Sequence, residues 1–352
     1  MAQNGDMWAL VMAGGRGARF WPLSRRALPK QCLSLGGGAT LIQQAVERLA
    51  PLVPVERVLV ATGSAMVAAV REQLPRVPRE NFLVEPQARN TAPCIGWGTV
   101  EAARRAGPGA VLAVVPSDHV VADPEGLRSA LAVAGEASAA GRTIATLGIR
   151  PDRAETGFGY LEVGEGTGST RPVVRFTEKP DEATAEQWWR GGRHLWNAGM
   201  FVFPVDVMLQ AFRVHLPRSS AALDRIAADP GSLAAAWPEL EATSIDYGIM
   251  ERLDGLVTVP CDVGWSDVGT WHSAAALLPA APGGRALARH VTAHEASGCV
   301  VHAPDKVVAL LGVDDLVVVD TPDALLVMSR HRGQDVRHLI ASLESDLRDP
   351  PT

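Results

Sequence analysis

A run of glycines follows the first apolar segment of this 352-residue chain. Residues 8–13 are apolar, and Gly14, Gly15 and Gly17 come directly after them. Glycines at the end of a buried strand let backbone N–H groups approach phosphate oxygens. Neither common nucleotide motif fits, because Phe20 stands where a GxGxxG fingerprint needs glycine and no Gly-Lys-Ser/Thr follows. The segment is therefore a phosphate loop of another type, or a tight turn.

Acidic and basic side chains stand at the ends of later apolar runs. Asp118 follows one such run, and Glu178 and Lys179 follow another. Ligands of an open α/β sheet bind outside the carboxyl ends of its strands, where a carboxylate can hold Mg²⁺ against phosphate. Asp118 could equally cap a helix, and the Glu178–Lys179 pair could be solvated. Asn197 and Asp267, taken alone, are typical of turns.

The first half of the chain alternates between strand and helix patterns. Strands are predicted at 8–13, 57–61, 110–115 and 143–147, and helices at 40–49, 65–74, 90–105 and 127–140. This alternation predicts an α/β fold in which helices cover both faces of a mainly parallel sheet. The middle of the chain is more mixed, with strands expected around 160–163, 173–176 and 200–203 and helices at 182–189, 205–212 and 219–228.

The pattern changes after residues 279–284, Pro-Ala-Ala-Pro-Gly-Gly, which form the best linker candidate. Short apolar runs follow at 299–302, 307–311, 316–320 and 324–328, with turn-forming residues between them. They predict a small all-β domain or β-solenoid. An amphipathic helix is expected at 334–347. We therefore divide the chain into a domain of residues 1–282 and a C-terminal domain of residues 283–352.

Composition excludes several classes of protein. The chain has 33 Lys+Arg against 39 Asp+Glu and no basic run, which argues against binding to nucleic acid or a membrane surface. No apolar stretch approaches the length of a membrane span, and the first residues do not resemble a signal peptide. The four scattered cysteines fit free thiols in a reducing cytoplasm. The lysines of the chain are Lys30, Lys179 and Lys306, all other cations being arginines.

The segment from Gly14 to Gln31 closely resembles the signature of sugar-1-phosphate nucleotidylyltransferases. Its Trp-Pro-Leu-Ser-Arg and Pro-Lys-Gln parts, at 21–25 and 29–31, resemble the mannose-1-phosphate guanylyltransferase branch. Further resemblances lie at 85–93, 114–119, 156–160, 176–180, 196–201, 244–251 and 264–271. The resemblance implies Mg²⁺-dependent, in-line transfer of GMP from GTP to α-D-mannose 1-phosphate, which gives GDP-mannose and pyrophosphate.

The resemblance also implies a role for each motif residue. The expected catalytic residues bind the triphosphate or hold Mg²⁺: Arg19 and Lys30 for the triphosphate, Asp118 and Asp267 for the metal. The nucleotide would contact the glycine loop and a later segment, at Gly14, Gly15, Gly17, Arg19, Glu85, Arg89 and Asn90. The sugar phosphate would be held by Gly159, Glu178, Lys179, Asn197 and Asp246. Two of the three lysines would thus face phosphates, where arginine is not an equivalent cation.

For the fold, the resemblance implies a Rossmann-like nucleotidyltransferase domain, a C-terminal domain like a left-handed β-helix, and a homodimer. The chain ends soon after the β-domain, so no isomerase activity is expected. Ala18 stands where the family often has Ser or Thr, and Phe20 replaces the more usual Leu. The alternatives are the same chemistry on another hexose or heptose 1-phosphate or another NTP, and a catalytically silent sensor that binds GDP-mannose.

Overall fold

The computed structural model describes residues 7–15, 17–166 and 168–349. Its strands, in chain order, are β1 (Met7–Met12), β2 (Val58–Gly63), β3 (Phe82–Glu85), β4 (Val111–Pro116), β5 (Val120–Val121), β6 (Ala145–Ile149), β7 (Gly159–Val163), β8 (Arg171–Glu178), β9 (His194–Pro204), β10 (Val257–Cys261), β11 (Trp265–Ser266), β12 (Ala280–Ala281), β13 (Gly284–His294), β14 (Cys299–Leu311), β15 (Leu316–Asp320) and β16 (Leu325–Ser329). The alternation of strand and helix expected for the first half is confirmed.

The α-helices are α1 (Leu41–Glu47), α2 (Val67–Gln73), α3 (Thr91–Ala106), α4 (Pro124–Gly141), α5 (Glu182–Gly191), α6 (Val205–His215), α7 (Pro217–Ala228), α8 (Leu233–Ala236), α9 (Ile245–Gly248), α10 (Trp271–Ala274), α11 (Val336–Ala341) and α12 (Ser345–Arg348). Local capping fixes where several begin. Asp123 accepts a hydrogen bond from the backbone N–H of Gly126 at the start of α4, and Thr40 forms a capping box with Gln43 at the start of α1.

The larger sheet has the strand order β3-β2-β1-β4-β9-β6-β10-β8-β7. The first four strands of this order are mutually parallel, and β10 is parallel to β6. In contrast, β9 runs antiparallel to β4 and β6, and the hairpin of β7 and β8 extends the far edge. The expected α/β class with a mixed sheet is confirmed, and its parallel part comes from the strands separated by helices, as crossover connections require.

Both faces of this sheet are covered. Successive side chains of a strand point to opposite faces. In β1, Ala9 and Val11 pack in one apolar cluster with Leu131 of α4, whereas Leu10 packs in a second cluster with Ile95 of α3. The uninterrupted apolar run at the start of the chain is therefore explained by the burial of β1 on both faces of the sheet, as expected for a central parallel strand.

The C-terminal domain has a second sheet of order β12-β13-β14-β15-β16, in which β13, β14 and β15 are parallel. The linker expected at 279–284 is instead a tight hairpin between β12 and β13, with Gly283 and Gly284 at positive φ. The runs 299–302 and 307–311, expected as separate strands, form the single strand β14. The pairing of β13 with β14 shifts register at Ala288/His290, and Pro304 lies in the bulged part of β14, where it need not donate to the ladder.

The single helix expected at 334–347 is also wrong, because the segment divides into α11 and α12. The side chain of Ser342 donates a hydrogen bond to the carbonyl of Leu339, and the backbone N–H of Leu343 bonds the carbonyl of Ile340 in a tightened last turn. Such local bonds compete with continuation of the helix. No helix in the described ranges is long and apolar enough to cross a membrane.

An apolar cluster joins the C-terminal domain to the loops of the larger domain. Phe20, which follows the glycine loop, packs with Trp271 at a ring-centroid distance of 5.1 Å. The same cluster contains Val319 of β15 and Val336 and Ile340 of α11. The C-terminal domain therefore supports the loops that follow β1 and β11.

Candidate active site

The glycine loop begins from a fixed point at the end of β1. The carbonyl of Ala13 accepts hydrogen bonds from the side chains of Gln31 (2.8 Å) and Thr62 (3.0 Å), and all three residues are buried. Buried polar groups with satisfied bonds hold one geometry, because breaking a bond leaves an unpaired group. The first glycines after β1 therefore leave the sheet in a defined direction.

Gly17 has a backbone conformation and a packing environment that exclude other residues. Its φ is 64°, in the left-handed region, and a Cβ there would lie 2.1 Å from Cβ of Lys30. The hydroxyl of Ser24 donates a hydrogen bond of 2.6 Å to the Gly17 carbonyl. In contrast, an added Cβ on Gly15 would meet nothing within 4 Å. Gly17 is thus required by the protein itself, and Gly15 leaves space beside the loop. Arg16 lies outside the described residues.

Lys30 lies between the two expected metal-binding aspartates. Only 4% of its surface is exposed, and its Nζ donates hydrogen bonds to Oδ2 of Asp118 (2.8 Å) and to the backbone carbonyl of Asp267 (3.0 Å). Arg19 lies on the same side, with Nη1 at 3.4 Å from the carbonyl of Gly269. The four expected catalytic residues are therefore assembled at one place.

A two-stranded ladder brings the two aspartates together from distant parts of the chain. Asp118 precedes β5 and Asp267 follows β11, and these strands pair antiparallel with Val121 opposite Trp265. The backbone N–H groups of Ala122 and Asp123 add hydrogen bonds to the carbonyl of Val263. Short strands of this kind have no periodicity of their own, so the local sequence indicated a helix cap at Asp118 and a turn at Asp267, and not a pairing between the two segments.

The two carboxyl groups differ electrostatically. Burial alone would raise the pKa of Asp118, but the charge and hydrogen bond of Lys30, together with His119 and a backbone hydrogen bond, outweigh burial, and the pKa is lowered. Burial raises the pKa of Asp267; the ammonium of Lys30 opposes this shift without reversing it, and Asp118 adds a smaller contribution in the same direction as burial. A cation between the two carboxylates would be attracted by both.

These residues border a cavity of about 400 Å³, here called the phosphate cavity, lined by Gly17, Ala18, Arg19, Phe20, Lys30, Asp118, His119, Asp267, Gly269 and Arg337. Within the described ranges, no three His, Cys, Asp or Glu side chains are grouped so as to hold a metal ion. A metal held by the two aspartates would therefore need further ligands from substrate and water, which is the usual arrangement for Mg²⁺.

A second cavity of about 430 Å³, here called the base–sugar cavity, shares Asp118 and His119 with the first. Gly14, Gly15, Glu85, Arg89 and Asn90 all line it. The residues expected to bind the nucleotide therefore all lie in one connected cleft. Gly17 and Arg19 lie in the phosphate cavity and the other members lie in the base–sugar cavity.

Glu85 is a buried carboxyl group that faces this second cavity. Its exposed fraction is 7%, and burial raises its pKa, although a hydrogen bond with the thiol of Cys94 opposes the shift. Gly14 lies beside it, because a Cβ on Gly14 would be 3.7 Å from Oε2 of Glu85. A group bonded to Glu85 would therefore lie next to the start of the glycine loop.

Arg89 and Asn90 have structural contacts that account for part of their presence. Nη1 of Arg89 donates a hydrogen bond of 2.7 Å to the carbonyl of Leu240. Asn90 has a φ of 70°, and its side chain accepts a hydrogen bond from the N–H of Thr91 at the start of α3. With its ψ of −171°, this conformation is rare for residues other than glycine, and the bond to Thr91 helps to hold it. Both residues line the cavity while also fixing its wall.

The residues expected to hold the sugar phosphate also form one cluster. A Cβ on Gly159 would lie 2.7 Å from Oε2 of Glu178 and 3.4 Å from Cβ of Asn197, so all three meet closely. The Asn197 amide donates a hydrogen bond of 3.3 Å to Asp246 and accepts one of 2.8 Å from the hydroxyl of Thr146. This chain of bonds fixes the orientation of the Asn197 side chain.

Lys179 and Asp246 set the charge of this cluster. Lys179 has a φ of 49°, and its Nζ lies 2.8 Å from Oε1 of Glu178, with more than half of the lysine side chain exposed. Burial, reinforced by Glu178, raises the pKa of Asp246 to about 7. Asp246 lines the base–sugar cavity, which connects the cluster to the glycine loop.

His119, Trp265 and Arg48 were not predicted as site residues. The indole N–H of Trp265 donates a hydrogen bond of 3.1 Å to Nδ1 of His119, and burial lowers the pKa of His119 to about 4. Arg48, buried at 5% exposure, donates to the His119 carbonyl at 2.7 Å. His119 and Trp265 stand within two residues of the aspartates, which was the available signal. Arg48 comes from the end of α1, and its sequence context gave none.

Two protein-family models match this chain. A family model described as Nucleotidyl transferase matches residues 8–280, and one described as a MannoseP isomerase/GMP-like beta-helix domain matches residues 288–343. The second match confirms the expectation of a β-helix-like C-terminal domain. The first covers more than half of the chain and defines its class, the nucleotidyltransferases.

Similar proteins narrow this class. The Xanthan biosynthesis protein XanB of Xanthomonas campestris pv. campestris (strain B100) is 36% identical over 356 residues, covering 99% of this chain and 75% of the relative. The mannose-1-phosphate guanylyltransferase of Escherichia coli K12 is 36% identical over 367 residues, with the same coverage. A crystal structure from Thermus thermophilus, described as a mannose-1-phosphate geranyltransferase, has 39% identity and a TM-score of 0.88, covering 97% of this chain and all of that one. The chain belongs to the family of mannose-1-phosphate guanylyltransferases.

Proposed function

We propose that this protein transfers GMP from GTP to α-D-mannose 1-phosphate and releases GDP-mannose and pyrophosphate. The observation that carries the proposal is the position of Lys30, whose ammonium bonds Asp118 where the two cavities meet. Base and sugar would lie in one cavity and the terminal phosphates in the other. The cation between them would then face the α-phosphate. The choice of substrates is supported by the names of the relatives.

On the nucleotide side, Glu85 is our candidate for recognition of guanine. Guanine presents N1–H and N2–H₂ donors together on one edge, and a carboxylate can accept both. Gly14 lies beside Glu85, so a nucleotide held there would place its phosphates over the glycine loop. Backbone N–H groups, Arg19 and Lys30 would then bind phosphate oxygens. Arg89 and Asn90 would border the base and ribose.

The sugar phosphate would bind at the cluster of Glu178, Asn197 and Asp246. Carboxylate and amide groups of this kind bond sugar hydroxyls, and Gly159 lets the backbone of β7 lie directly against Glu178 and Asn197, where a side chain would have no room. Lys179 would neutralise the sugar's phosphate, because its ammonium is the cation of the cluster and is half-exposed. This neutralisation allows two anionic substrates to approach one another.

The transfer itself needs no covalent intermediate with the protein. A phosphate oxygen of mannose 1-phosphate would attack the α-phosphorus, and the bond to the oxygen that bridges the α- and β-phosphates would break, so that pyrophosphate leaves. Lys30 and Arg19 would stabilise the negative charge that develops on the leaving group. Positioning and charge stabilisation of this kind account for large rate enhancements.

We propose Mg²⁺ as the cofactor, held by Asp118 and Asp267. The site fits this ion, because both donors are carboxylates and the ladder of β5 and β11 fixes their spacing. When bound, Mg²⁺ would neutralise phosphate oxygens near the reacting phosphorus. Lys30 lowers the pKa of Asp118 and so keeps this ligand ionised. We further propose a cytoplasmic location, in keeping with the four free thiols of the described chain, and a homodimer, which rests on the family resemblance alone.

The test is a substrate panel read by pyrophosphate release. GTP, UTP, dTTP, ATP and CTP would each be combined with mannose 1-phosphate and with glucose 1-phosphate, in Mg²⁺ and in excess EDTA. We expect the highest kcat/KM for GTP with mannose 1-phosphate and no turnover in EDTA. Clear preference for UTP or dTTP, or for glucose 1-phosphate, would replace our substrate assignment. Tight GDP-mannose binding without turnover of any pair would instead support a sensor.

A further inference from the structure

One wall of the phosphate cavity comes from the C-terminal domain. Arg337 of α11 lines this cavity together with Arg19 and Lys30. The preceding residue, Val336, and Ile340 one turn later are buried in the apolar cluster that contains Phe20. Because Val336 and Ile340 fix the buried face of α11, Arg337 stands at the edge of that face, toward the cavity.

The position of α11 relative to the site is tightly constrained. Gly333, just before the helix, abuts Thr270, since a Cβ there would lie 3.0 Å from Cβ of Thr270. Thr270 follows Gly269, whose carbonyl contacts Arg19. The helix that carries Arg337 is thus packed against the loop that carries Asp267.

The guanidinium of Arg337 makes no hydrogen bond or ion pair with the residues that the structure describes. Its neighbour Arg332, in contrast, is paired with Asp335. The carboxylate of Asp118 is already bonded to Lys30. The pKa of Asp335 is lowered first by its hydrogen bond with Arg332, and Arg337 adds only a smaller contribution. The exposed guanidinium of Arg337 therefore has no hydrogen-bond acceptor among the described residues, and a guanidinium suits bidentate contact with phosphate.

We propose that Arg337 binds the terminal phosphates of the nucleotide, and the pyrophosphate that leaves. This inference rests on the proposed function. The base–sugar cavity contains Glu85 and Asp246, and the two cavities join at Asp118. A triphosphate that passes Asp118 from the base would place its β- and γ-phosphates beside Arg19 and Arg337. The C-terminal domain then supplies a substrate-binding residue besides its structural support.

The experiment compares Arg337→Met with Arg332→Met in the full-length protein. Both variants lose one arginine charge from the same C-terminal segment, but Arg332 does not line the cavity. Binding of pyrophosphate, GTP and GDP-mannose would be measured by calorimetry in Mg²⁺, with thermal unfolding as a check on folding. Arg337→Met should weaken pyrophosphate and GTP by about 10-fold or more, the usual effect of losing a charged hydrogen bond. GDP-mannose, which lacks the leaving phosphates, should change by less than about 2-fold, and Arg332→Met should resemble the wild type.

Unchanged pyrophosphate affinity in Arg337→Met would overturn the inference. A loss of GDP-mannose affinity as large as the loss of pyrophosphate affinity would also overturn it, because it would indicate a general disturbance of the cleft. If Arg337→Met unfolds early, Arg337→Lys provides the same comparison, with a smaller loss expected because the charge remains and the planar fork is lost. Failure of the proposed function is distinguishable, because it would appear in the wild type as weak GTP or GDP-mannose binding. Pyrophosphate binding tests Arg337 whichever base and sugar the enzyme uses.

Discussion

Substitution of Gly17 by alanine should disturb the site through Lys30. The new Cβ would lie 2.1 Å from Cβ of Lys30 and 3.1 Å from its Cα. Carbon atoms in ordinary contact are about 3.5–4.0 Å apart, so Lys30 or the loop must move by more than about 1 Å. Because Lys30 is buried and bonded to Asp118 and to the Asp267 carbonyl, such a movement breaks contacts at the centre of the cleft.

Two contributions set the loss of stability expected for Gly17→Ala. A non-glycine residue in the left-handed region costs about 1–2 kcal/mol. Overpacking a buried site costs a further 1–3 kcal/mol or so. We therefore expect Gly17→Ala to lower the free energy of unfolding by about 2–5 kcal/mol. Displacement of a charged group by about 1 Å can reduce catalysis by about 100-fold, so kcat should fall by at least about 10-fold.

The chain offers two matched controls for this substitution. Gly37 also has a positive φ, 77°, but a Cβ there would meet nothing within 4 Å, so Gly37→Ala reports the backbone cost alone. Gly15 has neither restriction, and Gly15→Ala should leave the stability of the ligand-free protein nearly unchanged. Urea unfolding of the three variants gives the free energies, and steady-state kinetics with GTP and mannose 1-phosphate gives kcat. Equal stability of Gly17→Ala and Gly37→Ala, with kcat near that of the wild type, would refute the role assigned to the Gly17–Lys30 contact.

Other predictions concern the cations and the carboxyl group of the sugar site. Lys30→Arg should reduce kcat/KM by about 100-fold, because the larger guanidinium has no room in a buried site. Lys179→Arg should reduce kcat/KM less, because the Lys179 side chain is half-exposed. Equal losses for the two variants in a pyrophosphate-release assay would contradict this prediction. Asp246 has a pKa of about 7 in the folded protein against an ordinary value of 3.8, so it contributes stability that is present below about pH 4 and is lost as pH rises to about 7. Urea unfolding should therefore show that the wild type loses stability between pH 5 and pH 7.5. The loss in Asp246→Asn should be smaller by up to about 3 kcal/mol. Equal losses in the wild type and in Asp246→Asn would show that Asp246 does not titrate in this range.

The sequence predicted the helices of the first half and the strands β1, β2, β4 and β6 well because each has a clear apolar pattern, but it missed the short strands β3 and β5. The prediction for β9 was poorer. The expected strand covered 200–203, whereas β9 extends from His194 to Pro204. Its pairing with β6 shifts register between Thr146 and Gly148, and Gly199 has a φ of 66°. Asn197 lies in this irregular part, so the interruption that hides the strand in the sequence also places its side chain against Asp246, which lines the base–sugar cavity.

The candidate site was predictable to the extent that its residues lie in continuous motifs. Gly17 and Lys30 were both expected in the cleft, but their contact depends on a loop that folds back on itself over thirteen positions. Arg337 was not among the expected site residues, since nothing in its own segment distinguishes it from other surface arginines. Its position follows from the packing of α11 against Phe20, which is tertiary structure between distant segments.

Asp118 and Asp267 show the same limit in the chemistry itself. Their own residues indicated a helix cap for the first and a turn for the second, and the local interpretation of Asp267 is correct, because its side chain accepts a hydrogen bond from the N–H of Gly269. The pairing of β5 with β11 gives the two aspartates a joint role, because it sets both residues around one ammonium. Two-residue strands carry too little pattern to be recognised, and their pairing is stable only when β4, α4 and the C-terminal cluster already hold both segments. The charge arrangement at the centre of the cleft is therefore a property of the assembled fold and not of either motif.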